Sequence, residues 1–268
     1  MRSRCDVAAR IKSDPVEIVH RYRAPEDQEL VAVLASALAF GNVKAFRAKI
    51  EDALVRIGPS VARAADDPAA LRARLAGWKH RMYLGQHLSG LLIGARRVQR
   101  ASGSLVAALA AELARTGSLR EALTAWTAAI RREGGLDGGR RGGAHILADP
   151  GKGSAVKRLM LLLRWMVRPA DGVDLGVWPI SPASLLMPVD THVHKLGRNL
   201  GLTRRADVSW KTAEEITAAL RRYDAADPVK YDFSLCHLGM LQRCPSRRDP
   251  VRCEGCGVKR VCRHWARG

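Results

Sequence analysis

The chain closes on four cysteines, Cys244-x8-Cys253-x2-Cys256-x5-Cys262, two thirds of the six in the whole sequence. Thiols crowded in this way bind a soft metal or form disulfides, and either outcome pins a loop that has no secondary structure of its own. The opening residues, Met1-Arg2-Ser3-Arg4-Cys5-Asp6, lead into charged sequence with no apolar stretch of the secretory kind. The expected setting is therefore cytoplasmic, where thiols stay reduced and ligate. Structural zinc usually takes two short Cys-x-x-Cys knuckles. Here one knuckle, Cys253 and Cys256, lies between two longer arms, which suits a [4Fe–4S] cubane with a thiolate at each corner. On spacing alone the cubane, a zinc ion and unligated cysteines all stay open, in that order of preference.

The rest of the composition sets the scale. With 268 residues, 47% of them hydrophobic, the chain can bury one large core or two smaller ones. No apolar run approaches the length needed to span a bilayer. Lys and Arg number 45 against 26 Asp and Glu, a net charge of +19. An excess of that size favours polyanions, phosphate backbones before anionic membrane surfaces. The cysteine tail is strongly cationic: residues 243–268 carry eight Arg or Lys against Asp249 and Glu254.

Periodicity is helical nearly throughout, and no segment sustains the alternation of a strand. Residues 29–40 are almost wholly apolar, as in a buried central helix, and stop at Gly41-Asn42. Amphipathic segments follow at about 43–57, 84–100, 104–116 and 118–132. The stretch 133–154 holds eight glycines and reads as a long irregular loop. A helix over 155–168 carries Lys157, Arg164 and Arg168 along one stripe of an otherwise apolar surface. That stripe is either a wet face or a row of phosphate contacts with a reactive lysine. A turn-rich connector covers 169–182, and Pro188-Val189-Asp190-Thr191-His192 opens another helix, with Asp190 suited to N-cap it. Helices from Ser209 to about Tyr223, and from Asp227 or Pro228 into the cysteine loop, complete the chain.

Three features then line up in order: the early apolar helix, Val189-Asp190-Thr191-His192-Val193 followed by Gly197-Arg198-Asn199-Leu200-Gly201-Leu202, and the Cys-rich tail behind Leu238-Gly239-Met240. Together they resemble the helix–hairpin–helix DNA glycosylases of the endonuclease III and adenine-glycosylase type, in a divergent bacterial branch of unassigned function. The resemblance covers residues 186–262 well and 28–57 weakly. It implies an all-α, two-lobed fold with a C-terminal cluster loop: a helical barrel at 27–185, with its Gly-rich loop at 133–154, and a cluster domain formed by 1–26 with 186–268. It implies a [4Fe–4S] cluster on Cys244, Cys253, Cys256 and Cys262, although the first gap is eight residues where six is usual. Asp190 takes the place of the catalytic aspartate.

Such an enzyme hydrolyses the N-glycosidic bond of a damaged or mismatched base flipped out of duplex DNA. One ionised carboxylate beside the sugar stabilises the oxocarbenium-like transition state. Relatives carry a Leu-Pro-Gly-x-Gly hairpin, often with a Schiff-base lysine, about one and a half dozen residues before the aspartate. At that distance this chain has Trp165 to Ile180, without Gly-x-Gly and without lysine. Neither an anchoring hairpin nor the usual lyase route is therefore expected, and Lys157 is left as the candidate amine for a weak lyase step. Arg164, Arg168, Lys195, Arg198, Arg247 and Arg248 are the candidate DNA contacts, and Trp78, Met82 and Tyr83 the candidate wedge. The expected molecule is a cytoplasmic, nucleoid-associated monomer acting on double-stranded DNA that contains a lesion or mismatch. The alternative is a non-catalytic iron–sulfur protein that binds DNA lesions or DNA structure.

Overall fold

The computed structural model describes residue 11 and residues 14–137, 142–241 and 244–266. The fold is all-α. Its first helices are α1 (Val16–His20), α2 (Pro25–Leu38), α3 (Val43–Ile57), α4 (Val61–Ala65) and α5 (Pro68–Arg74). A minimal antiparallel hairpin follows, β1 (Lys79–His80) and β2 (Tyr83–Leu84), with His80 opposite Tyr83. Next come α6 (Gly85–Ser102), α7 (Leu105–Thr116), α8 (Leu119–Gly134), α9 (Gly142–Ile146) and α10 (Lys157–Val167). The last are α11 (Thr191–Asn199), α12 (Trp210–Arg221) and α13 (Asp232–Leu241). Among the described residues no helix is long and apolar enough to cross a membrane.

The chain forms two compact units. The larger holds the described residues of Val7–Lys152 with Leu161–Ile180, and the smaller holds Gly153–Met160 with those of Ser181–Gly268. These limits differ from the sequence boundaries in two places. Helix α1 belongs with the larger unit, where Val16, Ile18 and Val19 are fully buried and His20 Nε2 meets the Val173 carbonyl at 2.9 Å. Residues 153–160 belong with the smaller unit: Ser154 bridges Ser209, and Trp210 N–H donates to the Gly153 carbonyl at 2.9 Å.

Helix α2 is the buried centre of the larger unit. Leu30, Val31, Leu34 and Leu38 are wholly removed from solvent, each contributing roughly 1.5–3 kcal/mol by burial. Two acidic residues in its N-terminal half, Asp27 and Glu29, are buried for a different reason. The Glu29 carboxylate accepts the N–H groups of Leu105 (2.8 Å) and Val106 (3.1 Å) at the start of α7, and the Gln99 amide at 2.7 Å. Asp27 accepts Ala62 N–H at 2.7 Å at the start of α4. Two charges on the central helix thus satisfy the orphan donors of its neighbours. Helices α6 and α8 touch backbone to backbone, since a Cβ on Gly94 would lie 2.0 Å from the Ile130 carbonyl oxygen and one on Gly134 2.1 Å from that of Gly90.

Two expectations are corrected. The glycine-rich stretch is not wholly irregular, because it contains α9 and a 3-10 turn at Pro150–Lys152. Gly143 serves close packing there, as a Cβ would stand 2.6 Å from the Leu136 carbonyl oxygen. Nor is the cationic stripe of α10 a wet face or a row of phosphate contacts at Arg164 and Arg168, whose side chains are only 3% and 5% exposed. Arg164 Nε donates to Asp174 Oδ1 at 3.1 Å, and Arg168 pairs with the other oxygen of Asp174 and with Asp171 at 3.2 Å. Asp174 arrives on the connector, which folds back on the helix: Leu175 N–H donates to the Trp165 carbonyl and Trp178 N–H to that of Met166, both at 2.7 Å.

Replacing Asp174 with Ala removes the carboxylate that two buried guanidinium groups share, so the variant is expected to lose about 3–5 kcal/mol of stability, measured by urea unfolding. A loss under about 1 kcal/mol would show that the cluster is not the lock on the connector.

Candidate active site and cysteine cage

The two residues singled out for chemistry meet, although 33 positions separate them. Lys157 Nζ donates to Asp190 Oδ2 at 2.6 Å, and the side chains are 27% and 23% exposed. Asp190 is the N-cap of α11, and its other oxygen accepts N–H from His192 (2.9 Å) and Val193 (2.8 Å). Its carboxylate is therefore held by three donors on two oxygens. Burial acts to raise its pKa, but the Lys157 charge and hydrogen bond, the Val193 N–H and His192 outweigh it and hold the value below the usual carboxylate range.

Lys157 begins α10, directly after a strained residue. Val156 has φ +37°, a left-handed conformation that a β-branched side chain rarely adopts, and its N–H is tied to Ser154 Oγ at 3.2 Å. Burial would depress the lysine pKa. Asp190, Cys236 and Asp232 reverse that and raise it above the usual lysine value. Asp232, only 2% exposed at the start of α13, is a member of this group that sequence reading missed. The last helix is expected from Asp227 or Pro228, and nothing in the pattern singles out Asp232. Cys236 is half-buried and acts on the same lysine.

One sequence signal was overlooked. The run Pro150-Gly151-Lys152-Gly153 is a Pro-Gly-x-Gly sequence placed four residues before the lysine, not at a fixed distance before the aspartate. It forms the 3-10 turn, with Gly151 N–H on Asp149 Oδ1 at 2.8 Å, and then Gly153 at φ +83°.

The four terminal cysteines line one cavity together with Asn199, Pro245, Lys259, His264 and Trp265. Cys253 and Cys262 are each 8% exposed. Burial pushes the Cys244 thiol up, against the Asn199 hydrogen bond and Lys195, while Cys256 and Cys262 act on it as near neighbours. Trp265 lines this cavity too, and its indole N–H is buried without an acceptor among the described residues. Four thiols and a buried indole N–H on residues lining one cavity are the donor types that a sulfur-rich group accepting hydrogen bonds would use. Among the described residues no three His, Cys, Asp or Glu side chains are gathered in a way that could hold a metal ion.

The remaining candidates divide by exposure. Arg198, Arg247 and Arg248 are exposed and Lys195 half-buried. Arg248 lies over the Trp265 ring at 4.2 Å, with Lys259 over the same ring at 4.3 Å. Trp78 and Tyr83 are core residues at 1% and 0% exposure, whereas Met82, at the hairpin tip beside Arg81 (φ +54°), is 49% exposed. His194 Nε2 bonds the Arg205 carbonyl at 3.0 Å.

The lysine–carboxylate pair carries a pH signature. The lowered pKa of Asp190 contributes stability above the unfolded carboxyl value of about 3.9, lost as pH falls through the depressed folded value. The raised pKa of Lys157 contributes below the unfolded value of about 10.4, lost as pH rises through the elevated one. Asp190→Asn keeps an N-capping side chain and removes the charge. It is expected to cost about 1–2 kcal/mol between roughly pH 5 and 9, the gap closing below about pH 4. Urea unfolding of both proteins across pH tests this, and a pH-independent gap contradicts it.

The family model described as "Protein of unknown function (DUF2400)" matches residues 14–241, which include Lys157 and Asp190 and end three residues before Cys244. No curated protein and no solved structure matches. With that model running through most of its length, the chain belongs to the DUF2400 family.

Proposed function

We propose that the protein is a DNA N-glycosylase that hydrolyses the bond between deoxyribose and a damaged or mismatched base flipped out of the duplex. The observation that carries this reading is the contact of Lys157 with Asp190 at the N-terminus of α11. Breaking an N-glycosidic bond develops positive charge on the sugar. Asp190, kept ionised by a lysine and two backbone donors, is suited to stabilise that charge and poorly suited to take a proton. The Lys157 ammonium, 2.6 Å from Oδ2, occupies the kind of position that a cationic sugar needs. A nucleotide entering the site exchanges one positive partner of the carboxylate for another.

The same electrostatics weigh against strand cleavage by Lys157. A Schiff base requires the neutral amine, and the raised pKa keeps that form scarce at neutral pH. Hydrolysis is therefore the main reaction, with a lyase step slow and favoured by alkaline pH.

The overall positive charge and the exposed Arg198, Arg247 and Arg248 support a phosphate-backbone partner. In the cysteine loop, Cys244, Cys253, Cys256 and Cys262 would hold a [4Fe–4S] cluster, which supplies a rigid cross-link for a loop short of regular structure.

The test is abasic-site formation on duplexes that each carry one modified or mismatched base. Wild type is expected to release at least one of these bases, and Asp190→Asn to be slower by about 10²–10⁴-fold. Base release by wild type, with Asp190→Asn equally active, excludes the assigned role. Tight, salt-sensitive binding with no release on any duplex supports the non-catalytic alternative.

A further inference from the structure

The cysteine cavity contains a side chain whose hydrogen-bonding groups are almost all directed at the cysteine loop. Asn199 ends α11 and is 7% exposed. One hydrogen of its amide is donated to Cys244 Sγ at 3.4 Å and the other to the Pro245 carbonyl at 3.1 Å. With both hydrogens used, Oδ1 is the acceptor for His264 Nε2 at 3.0 Å, which assigns the proton to that ring nitrogen. The Asn199 backbone carbonyl also accepts Arg263 N–H at 2.7 Å. A single residue thus ties the helix end to the Cys244 arm and to the segment following Cys262.

The need for such a tie follows from the spacing. Cys253 and Cys256 share a knuckle in which Cys256 N–H bonds the Cys253 carbonyl at 3.3 Å, and Trp265 and Ala266 both donate to the Cys262 carbonyl at 2.8 Å. Cys244 stands eight residues outside that knuckle, so its thiol needs an external partner to be kept at the cavity. Trp265 lines the same cavity, its indole N–H is buried with no acceptor among the described residues, and both Arg248 and Lys259 lie over its ring.

The geometry points to Asn199 and Trp265 as the donors that hold and tune an iron–sulfur group in this cavity, Asn199 through the Cys244 thiolate and Trp265 through its indole N–H. This inference rests on the cage reading of the cysteine loop. Donors facing a thiolate or a cluster sulfur stabilise the more negative, reduced form and raise the reduction potential. Partners of this kind typically change metal affinity by about 10–100-fold. Asn199 is a positioning residue here, acting through Cys244.

The experiment uses the full chain, reconstituted anaerobically with iron and sulfide, and reads iron and acid-labile sulfide per chain, chelator-driven iron release, and the reduction midpoint. Asn199→Asp keeps an acceptor for His264 and sets a carboxylate against Cys244. Iron release is expected to be about 10–100-fold faster than in wild type, with helix content unchanged by circular dichroism. Trp265→Phe keeps the aromatic stack and deletes the N–H, and is expected to hold full iron with a more negative midpoint. Should Asn199→Asp fail to fold, Asn199→Ser, too short to reach Cys244, carries the same expectation. A loaded wild type with both variants indistinguishable from it would overturn the inference and leave the cage reading standing. A wild type that takes up no iron or sulfide would overturn both.

Discussion

Helix α11 has nine residues and must be fixed at both ends, and the rest of the smaller unit follows from how that is done. An isolated helix of this length is not stable in water, so its ends need partners from elsewhere. At the N-terminus Asp190 takes two of the orphan N–H groups and extends its second oxygen to Lys157. At the C-terminus Asn199 takes hold of the Cys244 arm, Arg263 and His264. Roughly 13 Å of helix then separates the two ends. The carboxylate proposed for chemistry and the cysteines proposed for a cluster are therefore the two anchors of one short rod.

Electrostatics explain why those anchors suit function as well as stability. A structural N-cap needs one carboxylate oxygen, and the second could have faced water. Here it is committed to a lysine that Asp232 and Cys236 also keep charged, next to a backbone strained at Val156. Strain and converging charge at one place are unusual costs in a small unit and are commonly tolerated where chemistry requires them. The buried arginines of α10 make the opposite case: Arg164 and Arg168 are enclosed around Asp174, where no ligand is needed to account for them.

The sequence made some of this readable and hid the rest for identifiable reasons. Helix α3 begins and ends where Asn42 and Gly58 imply, because Asn42 caps Ala45 N–H and Gly58 adopts φ +99°. The Asp190 cap was legible from Pro188-Val189-Asp190-Thr191 for the same local reason. The burial of Arg164 and Arg168 was not, since it depends on a carboxylate carried by a connector with no periodicity. Contact between Gly94 and Gly134 lies outside any local pattern as well. The Pro150-Gly151-Lys152-Gly153 turn was present in plain sequence but was sought by distance from the aspartate.

The central claim is that the carboxylate now paired with Lys157 is the group that meets a cationic sugar. Its most direct test is an experimental structure of the protein on a duplex in which one deoxyribose is replaced by a positively charged pyrrolidine analogue. The account predicts the ring nitrogen within hydrogen-bond reach of Asp190, about 2.6–3.2 Å, with the Lys157 ammonium displaced from Oδ2. An analogue bound elsewhere, with the Lys157–Asp190 contact intact, would contradict it.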